Sequence, residues 1–249
     1  MTNSSFDESA TIRPGEVPIA SHDRYTRIAI VLHWSIAAFI VLNLSVGFVL
    51  ESLPPPIRVV VLTLHISSGL SVLALTVARV VWRLLNEPPP YPAEMKPWER
   101  HTAHFAHFLL YAAMVLMPLT GWAVLSAHAP PGSRGAAVEF ASMPASPGMQ
   151  SGAAVPQGAP PHPMGPPPRA KIWYVIPMPM IGPISAIGTE PGGVKPLQVL
   201  HDEFVEWHSV GGYLLLGLLI LHIAGALKHQ FIDRQSEFAR MGIGRRRQS

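Results

Sequence analysis

Among the 12 histidines, His33, His65, His208 and His222 fall inside long apolar stretches at depths that can be compared. An ionisable side chain in such a setting marks a functional site by default. Its chemistry then depends on depth and face. His208 and His222 stand 14 positions apart. On a helix this returns the ring to within about 40° of the same face and separates the two by about 21 Å along the axis. One stripe of one helix thus presents an imidazole near each membrane surface. His33 lies about 9 Å in from Arg27, and His222 lies equally far in from Lys228 on the same side. His65 lies about 10 Å in from Arg58 on the other side, and His208 lies toward that end of its helix. The depths pair His33 with His222 and His65 with His208. Two imidazoles from facing helices at one depth suit six-coordinate haem iron, which takes a ligand on each side of its plane. Zinc asks for four ligands, or three and a water, in one cluster, and two separated pairs do not supply that. Histidines hydrogen-bonded within a bundle, or joined in a proton relay, stay open as alternatives. A relay would favour carboxylates, and no Asp or Glu lies well inside any apolar stretch.

The elements that must carry these rings are long and apolar. A membrane helix needs about 20 mostly apolar residues, and four segments meet this: 28–50, 59–82, 104–125 and 207–227. The chain is 49% hydrophobic and 13% charged, against about a quarter charged in soluble domains. It holds no cysteine, which excludes disulfides, iron–sulfur clusters and covalent c-type haem. The expected fold is an all-α membrane protein, a four-transmembrane-helix bundle. Arg13, Arg24 and Arg27, then Arg79, Arg83, Lys96 and Arg100, then Lys228, Arg234, Arg240 and Arg245–Arg247 share one side. Arg58, Arg134, Arg169, Lys171 and Lys195 share the other. The richer side faces the cytoplasm, so both termini are expected there. Residues 1–26 are too polar for a signal peptide and read as a disordered tail. The membrane domain is expected over 27–234 and a basic tail over 235–249. The charges fit membrane orientation, and no nucleic-acid partner is expected.

Between the third and fourth spans, about 127–205, lies an outer Pro-rich insertion. Its first half (MPASPGMQSGAAVPQGAPPHPMGPPPR) cannot bury enough apolar surface to order itself. IWYVIPMPMIGPIS, further on, is expected on the helix ends or the bilayer surface. Met143, Met149, His162, Met164, Met178 and Met180 are of types that suit Cu(I). Small residues follow the candidate ligands: Ser67, Ser68 and Gly69 after His65, Gly211 and Gly212 after His208, and Gly225 after His222. They leave room for a flat macrocycle, or equally for close helix packing.

The stretches RYTRIAIVLHW (24–34), LHISSGLSVLALTVARVVWRLLNEPPP (64–90), HFAHFLLYAAMVLMPLTGW (104–122) and LHIAGALKHQFIDR (221–234) occur in this order. With them the chain resembles the bacterial cytochrome b561 family, related to the cytochrome b subunits of nickel–iron hydrogenase and formate dehydrogenase. The resemblance implies a four-helix inner-membrane cytochrome with two haem b, ligated by His33, His65, His208 and His222. It also implies that His229, at the cytoplasmic edge with Lys228 beside it, lies at a quinone site. His107, which has a family counterpart, is a candidate donor to a haem propionate or quinone. Arg27 and Arg79 are placed to face propionates. His101, His104 and His201 read as interfacial. The long insertion departs from the family's compact loop.

The expected function is transmembrane electron transfer between an outer-side donor, superoxide among the family possibilities, and membrane quinone such as ubiquinone. An alternative is the membrane subunit that relays electrons for a dehydrogenase or hydrogenase partner subunit. A further alternative is a haem-free metal-handling membrane protein, with the Met/His-rich insertion as collector. Membrane lipid is a partner in every case.

Overall fold

The protein is described from a computed structural model, which covers residues 24–91, 95–142, 170–234 and 237–243. The expected leader up to residue 23, the low-complexity part of the insertion with Met143, Met149, His162 and Met164, and the tail beyond residue 243 lie outside the described residues.

Four long helices form the body: α1 (Arg27–Val49), α2 (Pro55–Leu85), α3 (Pro97–Ser126) and, after the insertion, a helix at Val194–Leu227. Their starts carry local signals. Thr26 Oγ1 accepts from the Ala29 N–H at 3.3 Å and caps α1. Proline opens α2 and α3, where its missing N–H has no helical partner to lose. The insertion contributes α4 (Arg134–Ser142), an antiparallel pair β1 (Lys171–Ile172) and β2 (Ile176–Pro177), and the short α5 (Gly182–Ser185). The last long helix is therefore α6. It begins well before the expected 207, because the segment with Lys195, His201, Asp202, Glu203 and Glu206 is helical but too polar to read as a span. A π turn (Lys228–Ile232) and α7 (Glu237–Arg240) follow.

Helices α1 and α2 pack together, α2 packs on α3, and α3 packs on α6. Against α1 or α2, α6 makes at most slight backbone contact, so a gap runs between α6 and the α1–α2 pair. At mid-depth the core is an apolar layer of Ile36, Ile40, Val72, Leu110, Met114 and Leu215. Leu215 stands seven residues from both His208 and His222. The outer faces are apolar as well: Val31, Val41, Val59, Leu84, Phe105 and Leu214 are exposed. Water would penalise this surface by about 25 cal/mol per Å² and hydrocarbon would not. All four long helices are long and apolar enough to cross a bilayer.

The later part of IWYVIPMPMIGPIS rests on the end of α3 as expected, whereas its hairpin runs deeper than its composition suggested. The tip of the β1–β2 hairpin lies along α2. The Trp173 backbone N–H donates to Ser67 Oγ at 2.7 Å, its indole Nε1 to Ser71 Oγ at 3.2 Å, and the Tyr174 hydroxyl to the Val60 carbonyl at 3.2 Å. Ser71 stands near the middle of α2. Irregular backbone at this depth needs protein partners, since lipid offers none. Ser67 and Ser71 can serve because each hydroxyl hydrogen goes back to the carbonyl four residues earlier, at 2.7 and 2.9 Å, and the oxygen's lone pairs stay available. Trp173 and Tyr174 hold φ of 49° and 62°. The left-handed region is unfavourable for bulky side chains and costs on the order of 1–3 kcal/mol each, which the docking bonds help to offset. Further along, the Pro179 carbonyl accepts from Trp122 Nε1 at 2.7 Å and the Ile181 N–H donates to Ser126 Oγ at 2.9 Å.

Ser67→Ala removes the acceptor of the Trp173 N–H. The expected loss is about 1 kcal/mol, the scale of buried bonds in membrane bundles. Denaturation in mixed micelles measures it, and limited proteolysis should cut first within 170–181.

Candidate functional site

The six-residue step from Arg27 to His33 at one end of α1, and the matching step from His222 to Lys228 after α6, place two rings at the end that carries both described termini. Their ring centres are 6.2 Å apart. At the opposite end, the His65 and His208 ring centres are 5.9 Å apart. Imidazoles each about 2 Å from a shared metal, on opposite sides of it, put their ring centres roughly 6 Å apart. Both pairs have that spacing.

Each ring of the second pair is oriented through Nδ1. His208 Nδ1 lies 3.0 Å from Thr120 Oγ1, whose own hydrogen goes to the Met117 carbonyl at 2.9 Å. The hydroxyl oxygen is thus left to accept, and the free lone pair of His208 is at Nε2. The Asn43 amide lies 2.7 Å from His65 Nδ1 and 2.9 Å from Ser68 Oγ. The orientation that satisfies every neighbour has the amide nitrogen toward the ring and the His65 carbonyl, at 2.7 and 3.1 Å, and the oxygen accepting from Ser68 Oγ and the Gly69 N–H, at 2.9 and 2.8 Å.

Around this pair opens a cavity of about 460 Å³, lined by Asn43, Gly47, Gly121, Met178 and Gly212 as well as the two histidines. A Cβ on Gly47 would come 3.2 Å from His65 Cε1, and one on Gly121 would come 3.1 Å from His208 Cε1. These glycines let the backbone approach the rings and keep the space beside them open. Met178, brought by the docked hairpin, is buried in the wall.

At the first pair, His107 joins from α3, its ring centre 5.2 Å from that of His222, and its Nδ1 donates to the Ala103 carbonyl at 2.6 Å. Arg79 donates from Nε to Tyr111 Oη at 3.0 Å and from Nη1 to the Ala29 carbonyl at 3.2 Å. Thr76 is buried here, and its Oγ1 has no hydrogen-bond partner among the described residues. Arg27 is exposed at the start of α1, and among the described residues nothing joins it to the pair. His101 and His104 are exposed on α3.

The π turn after α6 carries an ionic cluster. Lys228 Nζ donates to Glu99 Oε1 at 2.8 Å and to Asp233 Oδ2 at 2.7 Å, and His229 Nδ1 reaches the same Asp233 oxygen at 2.7 Å. The Lys228 ammonium, and then His229, hold the Asp233 carboxyl below the usual carboxylate range. A depressed carboxyl contributes stability above its ordinary pKa and loses it as pH falls through the lowered value, so the cluster persists through neutral pH.

Sequence reasoning selected the four paired histidines and missed Asn43, Thr120, Gly47 and Gly121. Asn43 could have been found by the same depth argument, as a polar residue inside a span at the height of His65. Thr120 and the glycines carry no distinguishing signal in a helix rich in small residues. Among the described residues no three His, Cys, Asp or Glu side chains converge as a metal cluster.

The sequence model of the family described as prokaryotic cytochrome b561 matches residues 24–244, and the chain belongs to that family. Proteins of this family bind b-type haem. A probable superoxide oxidase, CybB of Yersinia pestis, is 26% identical over 108 residues, which are 42% of this chain and 59% of that protein. The chain thus spans about three fifths of the length of the curated relative it matches.

The histidine spacing and the glycine cradle fit a haem between α6 and the α1–α2 pair. Gly121→Val would push a branched side chain against the His208 ring, and haem content per protein is expected to fall by about half. Gly217→Ala, on the exposed face of α6 with nothing within 4 Å of the added Cβ, should leave it unchanged. Extracted haem measured against total protein checks both.

Proposed function

Taking membership of the prokaryotic cytochrome b561 family as premise, we propose that this chain carries electrons across the inner membrane through two b haems, from an outer-side donor to membrane quinone. His33 and His222 would hold the haem at the cytoplasmic end, and His65 and His208 the haem at the outer end, with both termini cytoplasmic. The observation that carries this reading is the pair of ring separations, 6.2 and 5.9 Å, at the two ends of one helix. The charge distribution of the loops supports the orientation.

The haems supply reversible one-electron chemistry, with potentials set by ligation and surroundings. The chain's residues do the rest. Thr120 fixes the His208 ring with its Nε2 lone pair free. Asn43, 2.7 Å from His65 Nδ1, fixes the orientation of that ring. Ile36, Ile40, Val72, Leu110, Met114 and Leu215 keep water out of the space between the two levels. Each haem would be held by two histidines, so a donor would have to pass its electron at the exposed edge of the cavity rather than at the iron. The probable superoxide oxidase among the relatives supports a small one-electron donor such as superoxide.

Reduction of a quinone takes two electrons and two protons. The Lys228–His229–Asp233–Glu99 cluster lies beside the inner pair at the membrane edge, where it can donate hydrogen bonds to a quinone carbonyl and hold a proton against Asp233. With its Nδ1–H given to the Ala103 carbonyl, His107 beside His222 offers Nε2 as an acceptor, fit for a quinol hydroxyl rather than for a quinone carbonyl or a propionate.

The purified protein is expected to show a reducible b-type spectrum with two haems per chain. His33→Ala and His222→Ala should lose one and the same haem, and His65→Ala and His208→Ala the other, while His107→Leu keeps both. Spectra and haem stoichiometry of the single variants decide it. Loss of a common haem by His33→Ala and His208→Ala would contradict the pairing.

With both haems in place, His229→Leu should slow reoxidation of the dithionite-reduced protein by a soluble quinone at least about tenfold, the scale of one lost general acid–base or hydrogen-bonding group. Stopped-flow absorbance follows it, and an unchanged rate would remove His229 from the quinone step.

A further inference from the structure

A third pair of imidazoles lies outside the apolar core, at the end of the bundle opposite the termini. His128 follows the end of α3, and His201 lies on the early part of α6. Their ring centres are 5.1 Å apart. Each ring is turned by a carboxylate at Nδ1: His128 by Glu139 Oε1 of α4 at 2.8 Å, and His201 by Asp202 Oδ1 at 3.2 Å. Glu139 is itself fixed. Its second oxygen accepts from the Ala129 N–H at 2.8 Å, and its side chain is 13% exposed.

The simplest reading is two separate histidine–carboxylate pairs on a surface. That reading explains each ring but not their approach, because two imidazolium ions at this distance repel. Neutral rings that give Nδ1–H to a carboxylate keep a lone pair at Nε2. This is the arrangement in which histidines ligate metals, with the carboxylate as the outer partner that fixes ring and tautomer. The ring separation also discriminates between coordination geometries. Imidazoles about 2 Å from a shared metal put their centres roughly 5 Å apart at a tetrahedral angle and roughly 6 Å apart when opposed. His128 and His201 have the first spacing, as do His107 and His222 in the core, while the pairs His33–His222 and His65–His208 have the second.

We propose that His128 and His201 bind a divalent transition metal through Nε2, with Glu139 and Asp202 as the orienting carboxylates. The described residues supply two protein ligands, so water completes the coordination. Copper(II) should bind more tightly than zinc(II), following the usual order for nitrogen ligands. His201 lies seven residues before His208, about 10 Å along α6, so a bound dication stands over the neighbouring histidine pair without sharing its ligands. This site does not depend on the haem assignment.

The test uses the full-length, haem-loaded protein in detergent, titrated with Cu²⁺ alone and with Zn²⁺ alone by calorimetry, and the Cu²⁺ form examined by electron paramagnetic resonance. One equivalent of Cu²⁺ should bind with the nitrogen hyperfine pattern of two imidazoles. His128→Ala with His201→Ala should abolish that signal without altering the visible absorption of the protein. Glu139→Gln should weaken binding by about 10–100-fold, the usual effect of losing an orienting partner. If the double variant loses its visible absorption, the single variant His128→Gln replaces it, and one nitrogen should disappear from the pattern. Copper binding that is undiminished in these variants, or no stoichiometric binding by the unaltered protein, overturns the proposal.

Discussion

The arrangement depends on keeping two imidazoles of one helix in register with partners on two others across a gap. α6 rests on α3 and barely touches α1 and α2, yet His208 and His222 come within 5.9 and 6.2 Å of His65 and His33. Four helices that packed without the gap would bury more surface against one another but would close the space beside the rings. Leu215, halfway between the two histidines of α6, marks where the helices do meet, in the one apolar layer that α1, α2, α3 and α6 all share. The fold is thus closed at mid-depth and opens into a cavity around His65 and His208. This is the shape expected of a bundle whose cohesion in lipid comes from packing and a few hydrogen bonds rather than from the hydrophobic effect.

That architecture could be read from the chain because the bilayer makes it simple. Length and apolarity identify membrane helices, helical periodicity sets the face, and distance from the flanking cations sets depth. These rules hold for His33, His65, His208 and His222 because each sits on a regular helix with a charged end nearby. They fail where tertiary contact decides. IWYVIPMPMIGPIS has the composition of an interfacial segment, but its hairpin tip follows the hydroxyls of Ser67 and Ser71 into the apolar depth. Ser67 was noted only as a small residue and Ser71 not at all, and nothing local shows that their lone pairs would be used from outside the helix. Asn43 and Thr120 were missed for a related reason. Each matters through the Nδ1 of a histidine on another helix, a relation between elements that no single stretch of sequence contains.

The insertion alters the outer end in a way that composition did not suggest. Met178 is carried into the wall of the cavity around His65 and His208, while Trp122 and Ser126 hold the segment that follows it. An apolar thioether at that place lowers the local polarity and narrows access. Covering of this kind favours the less charged state of a redox centre and restricts which molecules reach its edge. The family's compact loop would leave this wall to the helices alone. The same insertion supplies α4, whose Glu139 turns His128 toward His201, so one segment shapes both the cavity and the surface above it.

The two histidine levels are electrostatically unlike, and the difference bears on the direction of electron flow. Around His65 and His208 the orienting groups are an amide and a hydroxyl, both uncharged. Near His33 and His222 stands Arg79, anchored through Tyr111 and Ala29. A fixed guanidinium in a low-dielectric bundle stabilises whichever neighbouring state carries more negative charge. At a redox centre that is the reduced state. If both levels hold a haem as proposed, with comparable ligation, the electron would be more stable at the end that holds Arg79, and transfer toward that end would run downhill. The Lys228–Glu99–Asp233–His229 cluster sits at the same end, so the place where electrons would collect coincides with the place where protons can be supplied. A protein built to carry electrons the other way would have its fixed positive charge beside His65 and His208.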